Sequence, residues 1–137
     1  KNNKNIDRGK LAGIVFVNKA ALGKLNRMVH PAVIKEISRR IRNSAKKIVI
    51  LDAPLIIEAG VRSMVDKLVV VTASRSQQFS RAKSKLSLCK EQVSRRIKFQ
   101  ISQNVKSRFA NFIIDNSGTI SKTRKQVSEI RRKLWKS

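Results

Sequence analysis

The chain has no tyrosine, one tryptophan, five phenylalanines, one cysteine and one histidine. With so few rings, stacking platforms for nucleic-acid bases are scarce. No zinc finger, RNP-type aromatic strand or helix-turn-helix signature is present. The lone Cys89 excludes an internal disulfide framework and any multi-cysteine zinc site. His30 has no second histidine with which to share a metal, so no protein-held metal site is expected. Long apolar runs are also missing: residues 14–17 and 68–71 fall far short of the ~20 needed to span a bilayer. Residues 1–10 are basic and 11–17 apolar, a superficial likeness to a secretory signal. Asn18 and Lys19 end that run without a small-residue cleavage pattern. A buried helix face and a soluble, cytoplasmic protein are therefore expected. The first residue is Lys1, not Met, which suits a fragment.

Acidic residues are equally scarce. Thirty-two Lys and Arg face eight Asp and Glu, giving a net charge of +24 over 137 residues. Such a chain attracts polyanions nonspecifically. The basic residues are spread from Lys19 to Arg132 and form no single tail, the ordinary pattern of a solvated surface. Hydrophobic residues make up 41%, enough for a core in a single domain.

The apolar pattern predicts the elements. Leu11, Ile14 and Val15, then Leu22, Leu25 and Met28, recur at helical spacing. Pro31 suits the first turn of a new helix, with Val33, Ile34, Ile37 and Ile41 as its stripe. Ile48-Val49-Ile50-Leu51 reads as a strand buried on both faces. Leu68-Val69-Val70-Val71-Thr72 and Phe112-Ile113-Ile114 read as two more. Helices are expected over 74–85, from about Cys89 to Lys106 after a break at 86–88, and from Ile120 to Leu134. Cys89 is expected to begin its helix and pack. Long helical crossovers between short apolar strands imply a parallel α/β sheet with covered faces.

Ligands of open α/β sheets bind beyond the carboxyl ends of the strands, and three clusters fall there. Asp52-Ala53-Pro54-Leu55-Ile56-Ile57-Glu58 follows the first expected strand; its acids could orient a ligand hydroxyl or simply complement a helix dipole. Gln78, Arg81 and Lys85 share one helix face, followed by Arg95, Arg96 and Gln100. They could fork onto phosphate oxygens or form a plain basic surface. Asp115-Asn116-Ser117-Gly118 could offer backbone amides to a ligand, or be a strand-to-helix turn capped by Asn or Ser.

Taken in order, these segments resemble the dephospho-coenzyme A kinase family of P-loop kinases. Asp7-Arg8 with Leu11, Val15 and Phe16 resembles the segment before the family's coenzyme-binding helices. Leu25, His30-Pro31 and Val33 resemble its Leu…His-Pro-x-Val segment, and Pro54-Leu55 with Glu58 its Pro-Leu-Leu-x-Glu motif. Asp66 with the strand after it, Gln78-x-x-Arg81 with Arg96-Ile97 and Gln100, and Ala110, Ile113, Asn116 and Gly118 resemble its later strand, lid and final Asn-x-Gly turn. Lys85 stands where the family usually has Arg, Leu86-Ser87 where it commonly has Asp-Gly, Ala12 where Arg and Asn111 where Asp is usual. The family's Gly-rich loop ending in Gly-Lys-Ser/Thr, and the Asp soon after it that resembles a catalytic base, are not among these residues.

The resemblance implies a parallel-sheet, P-loop kinase-like three-layer α/β fold, truncated at its N-terminus. Residues 1–46 would form a helical CoA-binding segment, 47–73 core strands with the Pro-Leu motif, 74–108 a helical lid, and 109–137 the last core strand and helix. The implied reaction is ATP-dependent phosphorylation of the 3′-hydroxyl of dephospho-CoA, with Mg²⁺. His30, Pro54, Leu55 and Glu58 would line the acceptor pocket, and Arg81 and Lys85 would close over the phosphates. Arg96 and Asn116, Ser117 and Gly118 would hold ATP, the last three near adenine, and Asp52 could touch the metal's water shell. The chain alone is expected to be inactive. The competing reading is a basic nucleic-acid- or ribosome-binding protein, which accounts for the charge but not for the motifs.

Overall fold

The computed structural model describes residues 6–86 and 89–135. They fall into two compact units, one ending at Val61 and the other beginning at Arg62.

The first unit is led by two packed helices, α1 (Arg8–Val15) and α2 (Lys19–Arg42). Both starts follow from local chemistry. The Asp7 carboxylate accepts from the Lys10 N–H at 3.0 Å, and the Asn18 side chain accepts from the Ala20 and Ala21 N–H groups. These acceptors pair donors that a helix start otherwise leaves orphaned. Val15 is buried between turns that are otherwise partly exposed.

Pro31 does not open a new helix, as its spacing suggests, but lies inside the 24 residues of α2. Proline lacks the N–H that would reach the Arg27 carbonyl, at a cost of about 3 kcal/mol. Breaking the helix would orphan backbone groups at two new ends. The residue available to cap a helix starting at Pro31 is His30, a poor N-cap. Ile34, Ile37 and Ile41 are half-buried as expected, whereas Val33 is exposed.

The expected strand at 48–51 is absent: these residues form no regular secondary structure, and Ile50 is 89% exposed. A β-branched run becomes a strand only when a neighbour completes its ladder, and no strand pairs with it among the described residues. The chain then turns over 54–60. Ile56 is buried, Gly60 adopts φ +70°, and the Gly60 and Val61 N–H groups reach back to the Ile57 and Ile56 carbonyls. This is a Schellman closure, which favours glycine at the left-handed position.

The second unit is α/β. Strands β1 (Val69–Thr72) and β2 (Phe112–Asp115) pair in parallel, with Val69 opposite Phe112 and Thr72 opposite Asp115. The crossover between them carries α3 (Arg75–Leu86), α4 (Lys90–Lys98) and α5 (Gln103–Arg108), and α6 (Ile120–Trp135) follows β2. Helix α5 packs on β1, α6 on β2, and α4 on α3. Leu68, Val70, Val93 and Ile114 are buried. At the start of β1 the Asn111 side-chain oxygen accepts from both Leu68 N–H and the Arg62 guanidinium, and Asn111 N–H donates to the Leu68 carbonyl.

The single helix expected up to Lys106 is two helices. Helix α4 ends at the Phe99 cap, and Ser102 starts α5 by accepting from Val105 N–H at 3.4 Å. A serine able to satisfy a helix start competes with continuation of the preceding helix. Cys89 does begin α4, as its N-cap, but is exposed and does not pack. Of the expected break at 86–88, residues 87 and 88 lie outside the described residues, as does the Leu86-Ser87 departure in part. No helix among the described residues is long and apolar enough to cross a membrane.

Candidate functional site

The carboxyl ends of β1 and β2 lie side by side, and from them leave the 73–74 and 116–119 connections. The two connections are tied together. Ser74 N–H donates to the Ser117 hydroxyl at 2.9 Å, and Asn116 N–H donates to the Thr72 carbonyl at 2.8 Å. Ser74 also caps α3, its hydroxyl accepting from Gln77 N–H and its carbonyl from Gln78 N–H.

From the first turns of α3, three side chains reach this junction. Gln77 donates its amide to the Ser117 carbonyl. Gln78 donates to the Ala73 carbonyl at 2.8 Å. Arg81 donates one guanidinium N–H to the Asn116 carbonyl at 2.9 Å. That bond uses one of the five N–H donors of an arginine, and the Arg81 side chain is exposed. Two segments separated by 35 residues, both singled out by motif, thus form one cluster. Gln78 is turned toward the backbone; Lys85, on the last turn of α3, is exposed.

The 115–118 turn is internally braced. The Asp115 carboxylate accepts from Ser117 N–H at 2.9 Å, and hydrogen bonds from Ser117, side chain first and backbone second, hold the Asp115 carboxyl below its ordinary range. Asn116 accepts from the Thr123 hydroxyl. Thr119, not Asn116 or Ser117, caps α6, accepting from Lys122 N–H and Thr123 N–H. With the Asn116 and Ser117 amides engaged, Gly118 is the remaining backbone donor of the turn that the sequence singled out.

Arg96 is half-buried on α4. Beside it, α3 and α4 enclose an open groove of about 410 Å³ lined by Phe79, Lys90, Glu91, Ser94, Arg95 and Lys98. In the first unit, His30 lies half-buried within α2, and Pro54, Leu55 and Glu58 lie on the 54–60 turn, with Glu58 half-buried and Asp52 exposed just before it.

The motifs did not reveal Ser74, Gln77, Gln103, Thr123 and Gln126. Ser74-x-x-Gln77 after an apolar strand is a capping signal that marks the start of α3. The others carry no local pattern that separates them from surface residues.

A family model described as dephospho-CoA kinase matches residues 1–122. A dephospho-CoA kinase of Carboxydothermus hydrogenoformans is 38% identical over 96% of this chain, and one of Aquifex aeolicus 40% identical over 95%. This chain covers 65% and 66% of their lengths, just under two thirds. A crystal structure of a Thermus thermophilus protein shares the fold, with a TM-score of 0.78 at 23% identity over 96% of this chain and 69% of that one. A dephospho-CoA kinase structure from Campylobacter jejuni matches with a TM-score of 0.61 at 27% identity, covering 98% of this chain and 68% of that one. None of these relatives supports the nucleic-acid reading.

Proposed function

Because the chain belongs to the dephospho-CoA kinase family, we propose that it supplies acceptor-binding and lid parts of a cytoplasmic enzyme. That enzyme would transfer the γ-phosphoryl group of ATP to the 3′-hydroxyl of dephospho-CoA. The observation that carries this reading is the bond from Arg81 to the Asn116 carbonyl. It joins the lid arginine to the turn assigned to adenine, at the strand ends where α/β sheets bind ligands.

In this reading His30, Pro54, Leu55 and Glu58 contact dephospho-CoA. Arg81 is anchored by one N–H, and its other donors face the triphosphate. Lys85 and Arg96 add positive charge, and Asn116, Ser117 and Gly118 border the base. Phosphoryl transfer needs positioning and charge neutralisation more than covalent help from the protein. A guanidinium fixed before the reaction neutralises developing charge without reorganising. Lys85 supplies a point charge without the planar fork of arginine, so Arg81 carries the directional role.

No three His, Cys, Asp or Glu side chains gather to hold an ion among the described residues. Mg²⁺ would arrive on the ATP phosphates, an ion that commonly uses only one or two protein carboxylates beside them.

The test is transfer of phosphate from ATP to dephospho-CoA by the intact gene product. Arg81→Ala is expected to lower kcat by about 10²-fold, the scale of one lost transition-state donor. An unchanged kcat would remove Arg81 from the site. The purified 137-residue chain contains no Gly-Lys-Ser/Thr loop and is expected to show no turnover.

A further inference from the structure

In a parallel pair, residues alternate between pointing their N–H and C=O at the partner strand and away from it. The Thr72 carbonyl and Asn116 N–H point at each other. Ala73 and Asp115, the adjacent residues, therefore point outward, one at each edge of the sheet. Each outward pair is taken by a single glutamine amide. Gln103, from α5, accepts from Ala73 N–H at 2.8 Å and donates to the Ala73 carbonyl at 3.0 Å. Gln126, from α6, accepts from Asp115 N–H at 2.9 Å and donates to the Asp115 carbonyl at 2.9 Å. A carboxamide has the donor and acceptor of a peptide group, so each glutamine makes the two bonds a neighbouring strand would make. Both sit where the chain leaves the sheet for the candidate site: Ala73 leads to Ser74 and α3, Asp115 to the 116–118 turn.

We propose that Gln103 and Gln126 are positioning residues for ATP: paired amide clamps that fix the strand ends and, through them, the register between Arg81 and the 116–118 turn. The inference rests on the kinase reading for its ligand, and on geometry alone for its clamps. Between the clamps lies a continuous chain of bonds: Gln103 to Ala73, Ser74 to Ser117, Ser117 to Asp115, and Asp115 to Gln126. Gln78 adds a second donor to the Ala73 carbonyl. Releasing either end frees the backbone that aims Arg81 and Asn116. Neither glutamine need touch the nucleotide to act on its binding.

Three variants test this. Gln103→Met and Gln126→Met keep side-chain length and remove both bonds; Gln103→Glu keeps the acceptor for Ala73 N–H and loses the donor. Residue-resolved amide hydrogen exchange on the 137-residue chain is the first readout, with α4 amides as a check on global opening. Each methionine variant is expected to speed exchange about fivefold or more, the scale of one lost hydrogen bond. The change should spread beyond the clamped residue to Ser74, Asn116 and Ser117, and Gln103→Glu should reverse part of it. Faster exchange at Ala73 or Asp115 alone would overturn the proposal and leave two local edge caps. The second readout is kinetics of the intact gene product. KM for ATP should rise about fivefold while KM for dephospho-CoA stays within about twofold; equal changes in both would also overturn it. Spreading exchange together with no phosphate transfer to dephospho-CoA by the intact gene product would uphold the clamps and overturn the kinase reading instead.

Discussion

Helix α2 closes its backbone hydrogen bonds within a few residues, and its start is fixed by Asn18, adjacent to it. The sheet of the second unit pairs Val69 with Phe112, and its ends are held by Gln103 and Gln126 from separate helices. Order in the first case is local and tolerant: α2 runs through Pro31 because each turn depends only on its neighbours. In the second it is long-range. A two-stranded sheet is marginal by itself, so side chains that arrive from 11 to 43 residues away decide where the strands end. Side chains that bind ligands gain from the second arrangement, because loops held from several directions lose less freedom when a ligand arrives.

The contrast predicts unequal costs for single substitutions. Ile114→Ala removes a side chain only 7% exposed in β2. It should cost about 2–5 kcal/mol, as large-to-small changes in cores do. The loss should appear as a fall in the urea midpoint for exchange protection of residues 69–72 and 112–115. A cost below about 1 kcal/mol would mean that the paired strands are not the centre of that unit's stability. Pro31→Ala acts in the opposite sense. It restores one N–H to the exposed middle of α2 and removes the proline penalty, so helix stability should rise by about 1–3 kcal/mol. Circular dichroism during heating would show it. A loss instead would mean that residues around Pro31 are held by something other than the helix ladder.

The same contrast explains what could be read from the sequence. Helices α1 and α2 are legible from the spacing of Leu11, Ile14 and Val15 and of Leu22, Leu25 and Met28, because a helix depends on residues three or four apart, while the caps Asp7 and Asn18 emerge only in the structure. Strands β1 and β2 are legible as β-branched runs, and the parallel α/β class follows from the helices between them. The run at 48–51 has the same composition and forms no strand, because pairing depends on a partner that composition does not name. Ser102 divides a helix that the four-residue spacing of Val93, Ile97 and Ile101 would continue, a competition between two local signals of similar strength. In the site, Gln78, Arg81 and the 116–118 turn were visible as motifs, but their junction was not. Arg81 and Asn116 are 35 residues apart, and no period connects them. Gln103 and Gln126 were invisible for a different reason: a clamping glutamine and a solvated one have the same local sequence pattern.

The smallest effect separates two ways of holding a carboxylate. Glu36 on α2 is drawn down to about 2, first by hydrogen bonds from Arg39 and then from Arg40, its Oε1 2.7 Å from each. Asp115 is lowered by hydrogen bonds from Ser117, a neutral residue. In both, the folded state favours the charged form. Each therefore stabilises the protein fully above its ordinary carboxylate range and ceases to as pH falls below it, for Glu36 from about 4.5 through about 2. Salt tells them apart. At about 1 M the Debye length is about 3 Å, so the charge attraction that accompanies the arginine hydrogen bonds to Glu36 is weakened, whereas the Asp115 bonds come from a neutral residue. Titration of the two carboxyls by NMR should show Glu36 rising toward its ordinary value in high salt and Asp115 moving little. Glu36→Gln should flatten the acid slope of stability in low salt only, and Asp115→Asn in both. Equal salt shifts at the two sites would mean that the charge of the whole chain, not the Ser117 hydrogen bonds, lowers Asp115.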